Sequence, residues 1–443
     1  MAPTLSAYLP WIEFAAVALL LAPLLLLGRI PIGYNLRNIT VRWRITALTA
    51  LAFTFVVGML VIMLAFVNGM NRLTEGSAQP GNVIVLSDGA TDELFSTLTA
   101  DDTADMVREP GIMRDAQGQP LASRELYVVV NQPMPLAPGE TQQRRRFVQI
   151  RGLEDPATAC RVHGMDLYPG GRYFSPAGVQ DIDKDNPATV EAIQALVGEG
   201  LARELGREQG KLRLDIGDLF TLGPRRWVVV GILKSSGSTF DSEVWAKAQK
   251  VGDQFGKQNV FTSVVLRTPS AEIAKDLSDR LKNFQRVRLA AQPETAYYAK
   301  LTETNEQLRY AIYFVAMIMA VGGVFGIMNT MFAAISQRTR DIGVLRILGY
   351  TRRQILMSFL LEALLIALIG GAVGCAIGSL ANGWSATSVV SSGEGGGKTV
   401  LLKLTVDSSI LAVGVIFAVV MGLLGGLLPS LSAMRLKPLE AVK

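Results

Sequence analysis

The sequence predicts an integral membrane protein of the α+β class, with apolar helices carrying one large α+β domain outside the membrane. Three observations predict it. The 443 residues are 49% hydrophobic with a mean hydropathy of +0.31, too apolar for an ordinary soluble domain and too polar for membrane helices alone. Several nearly uncharged segments approach or exceed the roughly 20 residues that cross a bilayer. Between two of them lie about 240 residues, 68–309, of ordinary soluble composition, in which strand-like and helix-like periods alternate.

The first apolar segment, 11–28, is broken only by Glu13 and Pro23. Residues 1–12 carry no Lys or Arg, and no A-x-A site follows, so a retained helix over 1–32 is expected rather than a signal peptide. A helix lying in the interface is the alternative. Four more spans are expected at 45–67, 310–335, 355–380 and 409–434; only the third of these four contains a charge, Glu362. Residues 33–68 then hold an amphipathic segment and a span, 69–309 the outer domain and a stalk, and 310–443 three further spans.

Lys and Arg near the span ends set the orientation. Arg29, Arg37, Arg42 and Arg44 lie between the first two spans. Arg338, Arg340, Arg346, Arg352 and Arg353, against Asp341, lie between the third and fourth, and Arg435, Lys437 and Lys443 follow the fifth. These regions are expected in the cytoplasm, with the N-terminus and large domain outside. Trp43 and Trp384 sit where aromatic anchors are favoured. The net charge of +5 is therefore mainly a topology signal, which argues against nucleic acid and for lipids as surroundings.

Within the outer region, strands are expected at 83–86, 126–130, 260–266 and 287–291, with helices at 101–107 and 271–283. This gives β-α-β units flanking a β-rich insert at about 132–258. The insert should hold strands at 147–151 and 227–233 and one helix at 187–205. The polar segment 297–309 leads directly into a span. Without Gly or Pro from 302 to 321 it reads as a helical stalk, a flexible linker being the alternative.

Chemical motifs are sparse. Cys160 and Cys375 fall in different regions, so no disulfide is expected. One histidine, His163, and two cysteines argue against common zinc sites, and His163 is expected on a surface or loop. The run 393–399 imitates a phosphate-binding loop but is one residue short of G-x-x-x-x-G-K-[ST] and lacks a strong preceding strand. A flexible outer loop is expected there, and neither a cofactor nor catalysis in this chain. Glu362, an acid inside a span, is a functional candidate by default; snorkelling, or pairing with Arg352 or Arg353, is the expectation. Gly370, Gly374 and Gly378 form overlapping G-x-x-x-G steps, which favour close helix packing within the chain or between copies.

The segment 336–350 is the most informative. Ile342, Leu345 and Leu348 recur at i, i+3 and i+6, while Arg340 and Arg346 lie off that line. A short amphipathic helix at the inner membrane face follows, either a simple anchor or a docking helix. The run from Ser336 through Arg338, Arg340, Asp341, Ile342, Gly343, Leu345, Arg346, Leu348 and Gly349 to Tyr350 resembles the cytoplasmic loop of MacB/FtsX/LolC-type ABC transporter permeases. Members read R-T-R-E-I-G-x-L-R-A-x-G; here Asp341 replaces the Glu and Ile347 the Ala. Residues 35–37, 228–232, 241–245 and 426–441 are similar to the family as well, so the resemblance covers about 34–443.

The resemblance implies a four-helix permease, to which the segment 11–28 would be an addition. It implies an ATPase-coupling role for Arg338 to Gly349, a separate ABC ATP-binding subunit dimer carrying ATP and Mg, and a second permease copy, identical or paralogous. A periplasmic adaptor and a place in the bacterial plasma membrane are implied too. Export or extraction of an extracytoplasmic substrate is the leading activity. Activation of a cell-wall hydrolase, as in FtsX-like members, is the alternative, and an anchored enzyme a weaker one.

Overall fold

A computed structural model describes residues 37, 40, 41, 43–134, 143, 145–182, 191–235, 237–284, 287–391 and 397–435. The expected span at 11–28, the tip of the 393–399 run and the last eight residues lie outside them. The described residues divide into two units, at Gly69/Met70, Glu306/Gln307, Trp384/Ser385 and Lys403/Leu404.

In chain order, helix α1 (Trp43–Ser77) precedes β1 (Asn82–Ser87), β2 (Leu98–Thr99), α2 (Ala100–Met106), β3 (Ala122–Pro133) and β4 (Arg145–Leu153). Then come α3 (Pro156–His163), β5 (Val179–Asp181), β6 (Glu191–Gly198), α4 (Glu199–Glu208), β7 (Leu219–Leu222) and β8 (Arg225–Leu233). They are followed by β9 (Glu243–Lys247), α5 (Ala248–Phe255), β10 (Val260–Phe261), β11 (Ser263–Arg267), α6 (Ala271–Lys282) and β12 (Leu289–Pro293). Four helices and a hairpin complete the chain: α7 (Glu294–Ser336), α8 (Thr339–Ile347), α9 (Arg352–Ser379), the strands β13 (Ser385–Ser391) and β14 (Gly397–Lys403), and α10 (Ser408–Arg435).

The soluble unit is built on one sheet of ten strands, ordered β12-β1-β11-β3-β4-β9-β6-β8-β7 with β5 beside β6. The β4/β9 and β6/β8 pairs are parallel; the others are antiparallel. Strands of the middle part and of the flanking parts thus share a single sheet. Helix α6 shows why its residues fold as they do. Ala274, Leu277, Ser278 and Leu281 recur at helical spacing and are buried, the Ser270 side chain caps the start, and Arg280 and Lys282 close the last turn. Their apolar face packs on Val83, Val85, Val264 and Leu266 of the sheet.

The expected helix at 187–205 is half wrong. Residues 191–198 are strand β6, buried along nearly its whole length, and only 199–208 are helical. Glu, Ala, Gln and Leu there favour helix locally, but pairing with β8 and β9 in mid-sheet overrides that preference. Of the run 393–399, where a flexible loop is expected, residues 397–399 open strand β14. Val389 and Val390 on one strand and Thr399 and Val400 on the other suit a pleated pair, and β13 and β14 are joined in register from Ser385–Lys403 to Ser391–Gly397.

Among the described residues, four helices are long and apolar enough to cross a membrane: Trp43–Ser77, Gln307–Ser336, Arg352–Ser379 and Ser408–Arg435. Glycines set how closely they approach. A Cβ on Gly370, Gly374 or Gly378 of α9 would lie 2.4–2.8 Å from atoms of Ala50, Thr54 or Val61 on α1. The Thr54 hydroxyl donates to the Gly370 carbonyl at 3.0 Å. On another side of α9, Gly422 and Gly426 of α10 meet the methyls of Ala367 and Ala363. The G-x-x-x-G steps of α9 thus lie close against α1.

Helix α7 runs unbroken for 43 residues, so the polar segment before its apolar part is helical.

Candidate functional site

Helix α8 is a short helix within the segment 336–350, where the sequence predicts one. Its start is fixed from within the bundle. Arg338 immediately precedes it and is only 3% exposed. Its Nη1 and Nη2 donate to Oε2 and Oε1 of Glu362 at 2.7 and 2.9 Å. This fork-to-carboxylate geometry is the strong form of an Arg–Glu pair. Thr49, Thr330, Phe53 and Ile366 surround it.

The partner of Glu362 is Arg338; contrary to the expectation from sequence alone, Glu362 neither snorkels nor pairs with Arg352 or Arg353. Those arginines lie on the same helix, about 14 Å or more along its axis at 1.5 Å per residue, and both are exposed. The turn after α7 brings Arg338 alongside instead.

Ile342 is 1% exposed and packs with Met331, Ile335, Ile355 and Phe359, and Gly343 is buried too. Leu345 and Arg346 are half-buried, and Arg346 Nη1 donates to the Tyr350 carbonyl at 3.2 Å. Arg340, Asp341, Val344, Ile347, Leu348 and Gly349 are exposed. Gly349 has φ +97°, a conformation that favours glycine, and it turns the chain toward α9. Thr351 and Gln354 then form a reciprocal capping box. The segment thus has an anchored face, through Arg338 and Ile342, and an outward face of Asp341, Val344, Ile347 and Leu348.

A second polar centre lies in the soluble unit, and the sequence reading missed it. Arg151 on β4 is 1% exposed. Its Nε and Nη2 donate to Glu243 at 2.7 and 2.8 Å, and its Nη1 donates to Glu93 at 2.8 Å and to Glu125. Glu243 also accepts from the Trp245 indole at 2.8 Å, and Glu93 from the Ser263 hydroxyl at 2.9 Å. Burial works against the Arg151 charge, yet the facing Glu243, Glu93 and Glu125 hold its pKa well above the usual value.

His163, expected on a surface or loop, is instead buried at the end of α3. Asp155 caps that helix, Pro156 starts it, and Gly164 in the left-handed conformation ends it. This short, firmly bounded helix delivers His163 Nε2 to 2.6 Å from Glu125 Oε1 and Nδ1 to 3.7 Å from Glu294 Oε1. The readable signal was charge inside β-type runs: Arg151 beside Val148 and Ile150, and Glu243 beside Val244 and Trp245. No group of three or more metal-type side chains with metal-binding geometry exists among the described residues.

Comparison with known proteins follows the same division. Residues 46–284 match the MacB-like periplasmic core domain, and 313–438 match the FtsX-like permease C-terminal domain. The macrolide export ATP-binding/permease protein MacB of Shewanella oneidensis is 24% identical over 385 residues, covering 83% of this chain and 56% of that protein. An ABC transporter permease of Bacillus subtilis, YknZ, is 24% identical over 417 residues, covering 89% of this chain and 94% of that one. The crystal structure of the YknZ extracellular domain aligns with 48% of this chain and 98% of its own, at 15% identity and a TM-score of 0.31. The chain spans little more than half the length of the Shewanella relative. On the strength of the core-domain match over more than half its residues, the chain belongs to the MacB/FtsX/LolC-type ABC transporter permease family.

Proposed function

We propose that the chain is the membrane subunit of an ATP-driven, mechanotransmitting ABC transporter whose ATP is hydrolysed on a separate subunit dimer. Helix α8 receives that ATPase from the cytoplasm, and α7 carries the resulting motion outward to the soluble unit, which acts on an extracytoplasmic substrate. The observation that carries this reading is the pairing of an anchored and an outward face on α8. A docking element needs both: exposed Asp341, Val344 and Leu348 to meet a partner, and buried Arg338 and Ile342 to pass displacement into the bundle.

The arginines around α8 favour a cytoplasmic place for it, with the large unit outside. A second permease copy and a periplasmic adaptor complete the proposed assembly in the plasma membrane. The match of the large unit to a MacB-like core favours transport over activation of a cell-wall hydrolase.

The test is co-purification with a cognate ATP-binding subunit in nanodiscs, with ATPase rate as readout, for the wild type and the double variant Asp341→Ala/Leu345→Ala. A stable, ATP-hydrolysing complex that the double variant loses supports the reading. A wild-type complex untouched by the substitutions removes α8 from the docking surface.

A further inference from the structure

Glu294 is the first residue of α7 and is 1% exposed. Its Oε2 accepts from the Gln79 backbone N–H and from Asn82 Nδ2, each at 2.9 Å. Those partners are neutral; the ionisable ring facing it is His163, whose Nδ1 lies 3.7 Å from Glu294 Oε1. His163 is also held to Glu125 on β3 at 2.6 Å. A single imidazole thus stands between the sheet and the first turn of a 43-residue helix.

We propose that His163 is a proton-operated latch: protonated, it bridges Glu125 and Glu294 and pins the first turn of α7 to the sheet; deprotonated, it releases that turn. The latch requires no ATPase, and its test is read without one.

The surrounding charges make the His163 proton matter. Four carboxylates converge here: Glu93 from the turn after β1, Glu125 from β3, Glu243 from β9 and Glu294 from α7. Arg151 of β4 is the cation held against the first three of these carboxylates. Arg267 of β11 reaches Gln79 and Asn82 at 3.5 and 3.3 Å rather than a carboxylate. Phe240 and Trp245 pack on the imidazole with ring centres at 4.7 and 5.8 Å, so little water screens the site. Loss of one proton from His163 therefore leaves Glu294 facing Glu125 across a neutral ring.

The two carboxylates behave differently for a physical reason. Burial works to raise the Glu125 pKa, but His163 and Arg151 together hold it below the usual carboxylate value. Burial pushes Glu294, which lacks the arginine, up to about 6. Burial opposes a charge on His163, yet Glu125 and Glu294 outweigh it and raise its pKa above the usual 6.5. The sign follows. The bridge is half-made at about pH 6, where Glu294 is half ionised, strengthens as pH rises above that value, and is lost as pH rises through the raised His163 pKa.

His163 is the only histidine of the sequence, so a full-length chain labelled with ¹³C,¹⁵N-histidine gives one imidazole signal. The chain is purified on a histidine-free tag, placed in nanodiscs and titrated from pH 5 to 9. Hydrogen exchange of amides 79 and 295–300 is followed in parallel, corrected for the intrinsic pH dependence of exchange. We expect His163 to titrate above 6.5, with protection of those amides lost over the same pH interval. Glu294→Gln should lower the His163 pKa and abolish the pH dependence at 295–300 while β3 and β4 stay protected. A His163 pKa at or below 6.5, or pH-indifferent protection in the wild type, overturns the latch. So does a folded Glu294→Gln chain that keeps the pH dependence. Were that variant not to fold, the wild-type titration and exchange decide alone.

Discussion

Arg338 and Glu362, 24 residues apart in sequence, are joined by two parallel hydrogen bonds inside the helix bundle, each side chain no more than 5% exposed. The pair ties the start of α8 to the apolar length of α9. Removing one partner strands a buried charge, at a cost of about 3–5 kcal/mol, whereas replacing both with apolar residues of similar volume is often neutral or better. Glu362→Ala should therefore lower thermal stability in nanodiscs markedly, and Arg338→Met/Glu362→Leu should recover most of it. If the pair positions α8 as well, the recovered double variant keeps stability but loses ATPase stimulation. Melting temperature and ATPase rate on the same samples separate the two effects.

Glycine positions on α9 and α7 make a second contrast. A Cβ on Gly374 would lie 2.8 Å from the Thr54 carbonyl oxygen, while one on Gly326 of α7 meets nothing within 4 Å. Gly374→Leu must push α1 and α9 apart, which costs about 1–3 kcal/mol or more. Gly326→Leu should leave the melting temperature of the isolated chain nearly unchanged. Equal destabilisation by both would mean that close packing of α1 on α9 is not what Gly374 serves.

Cys160 is 2% exposed, and burial, with Asp166 and Asp155 nearby, pushes its thiol up to about 12. At pH 8 it is a thiol rather than the reactive thiolate. Maleimide should label it at least a hundredfold more slowly in the folded chain than in denaturant, as read by peptide mass spectrometry. Rapid native labelling would contradict the packing of α3 against Phe174 and Trp245.

Much of the fold was legible because it rests on local signals. About 20 apolar residues in a row have few alternatives to a span, and the capped, amphipathic α6 could be bounded within a residue or so. What was not legible depends on distant partners. Residues 191–198 favour helix alone and become strand only between β8 and β9. The partner of Glu362 comes from the turn after α7 rather than from its own helix. His163 looked ordinary because nothing in its neighbourhood of sequence announces Glu125, 38 residues before it, or Glu294.

The two faces of α8 give the sharpest test of the docking proposal, because they predict opposite phenotypes a few residues apart. Ile342 is 1% exposed among Ile335, Ile355 and Phe359, so Ile342→Ala should cost about 2–5 kcal/mol of stability through the cavity it leaves. Leu348 is 71% exposed, and Leu348→Asp should change stability by no more than about 0.5 kcal/mol, as surface substitutions do. At a docking surface, however, that aspartate loses an apolar contact and buries a charge against the partner. Leu348→Asp should therefore abolish co-purification of the ATP-binding subunit while the melting temperature holds, and Ile342→Ala should lower the melting temperature first and binding only as a consequence. A Leu348→Asp chain that still binds and stimulates the ATPase would place the docking contact elsewhere and leave α8 as an anchor of the bundle.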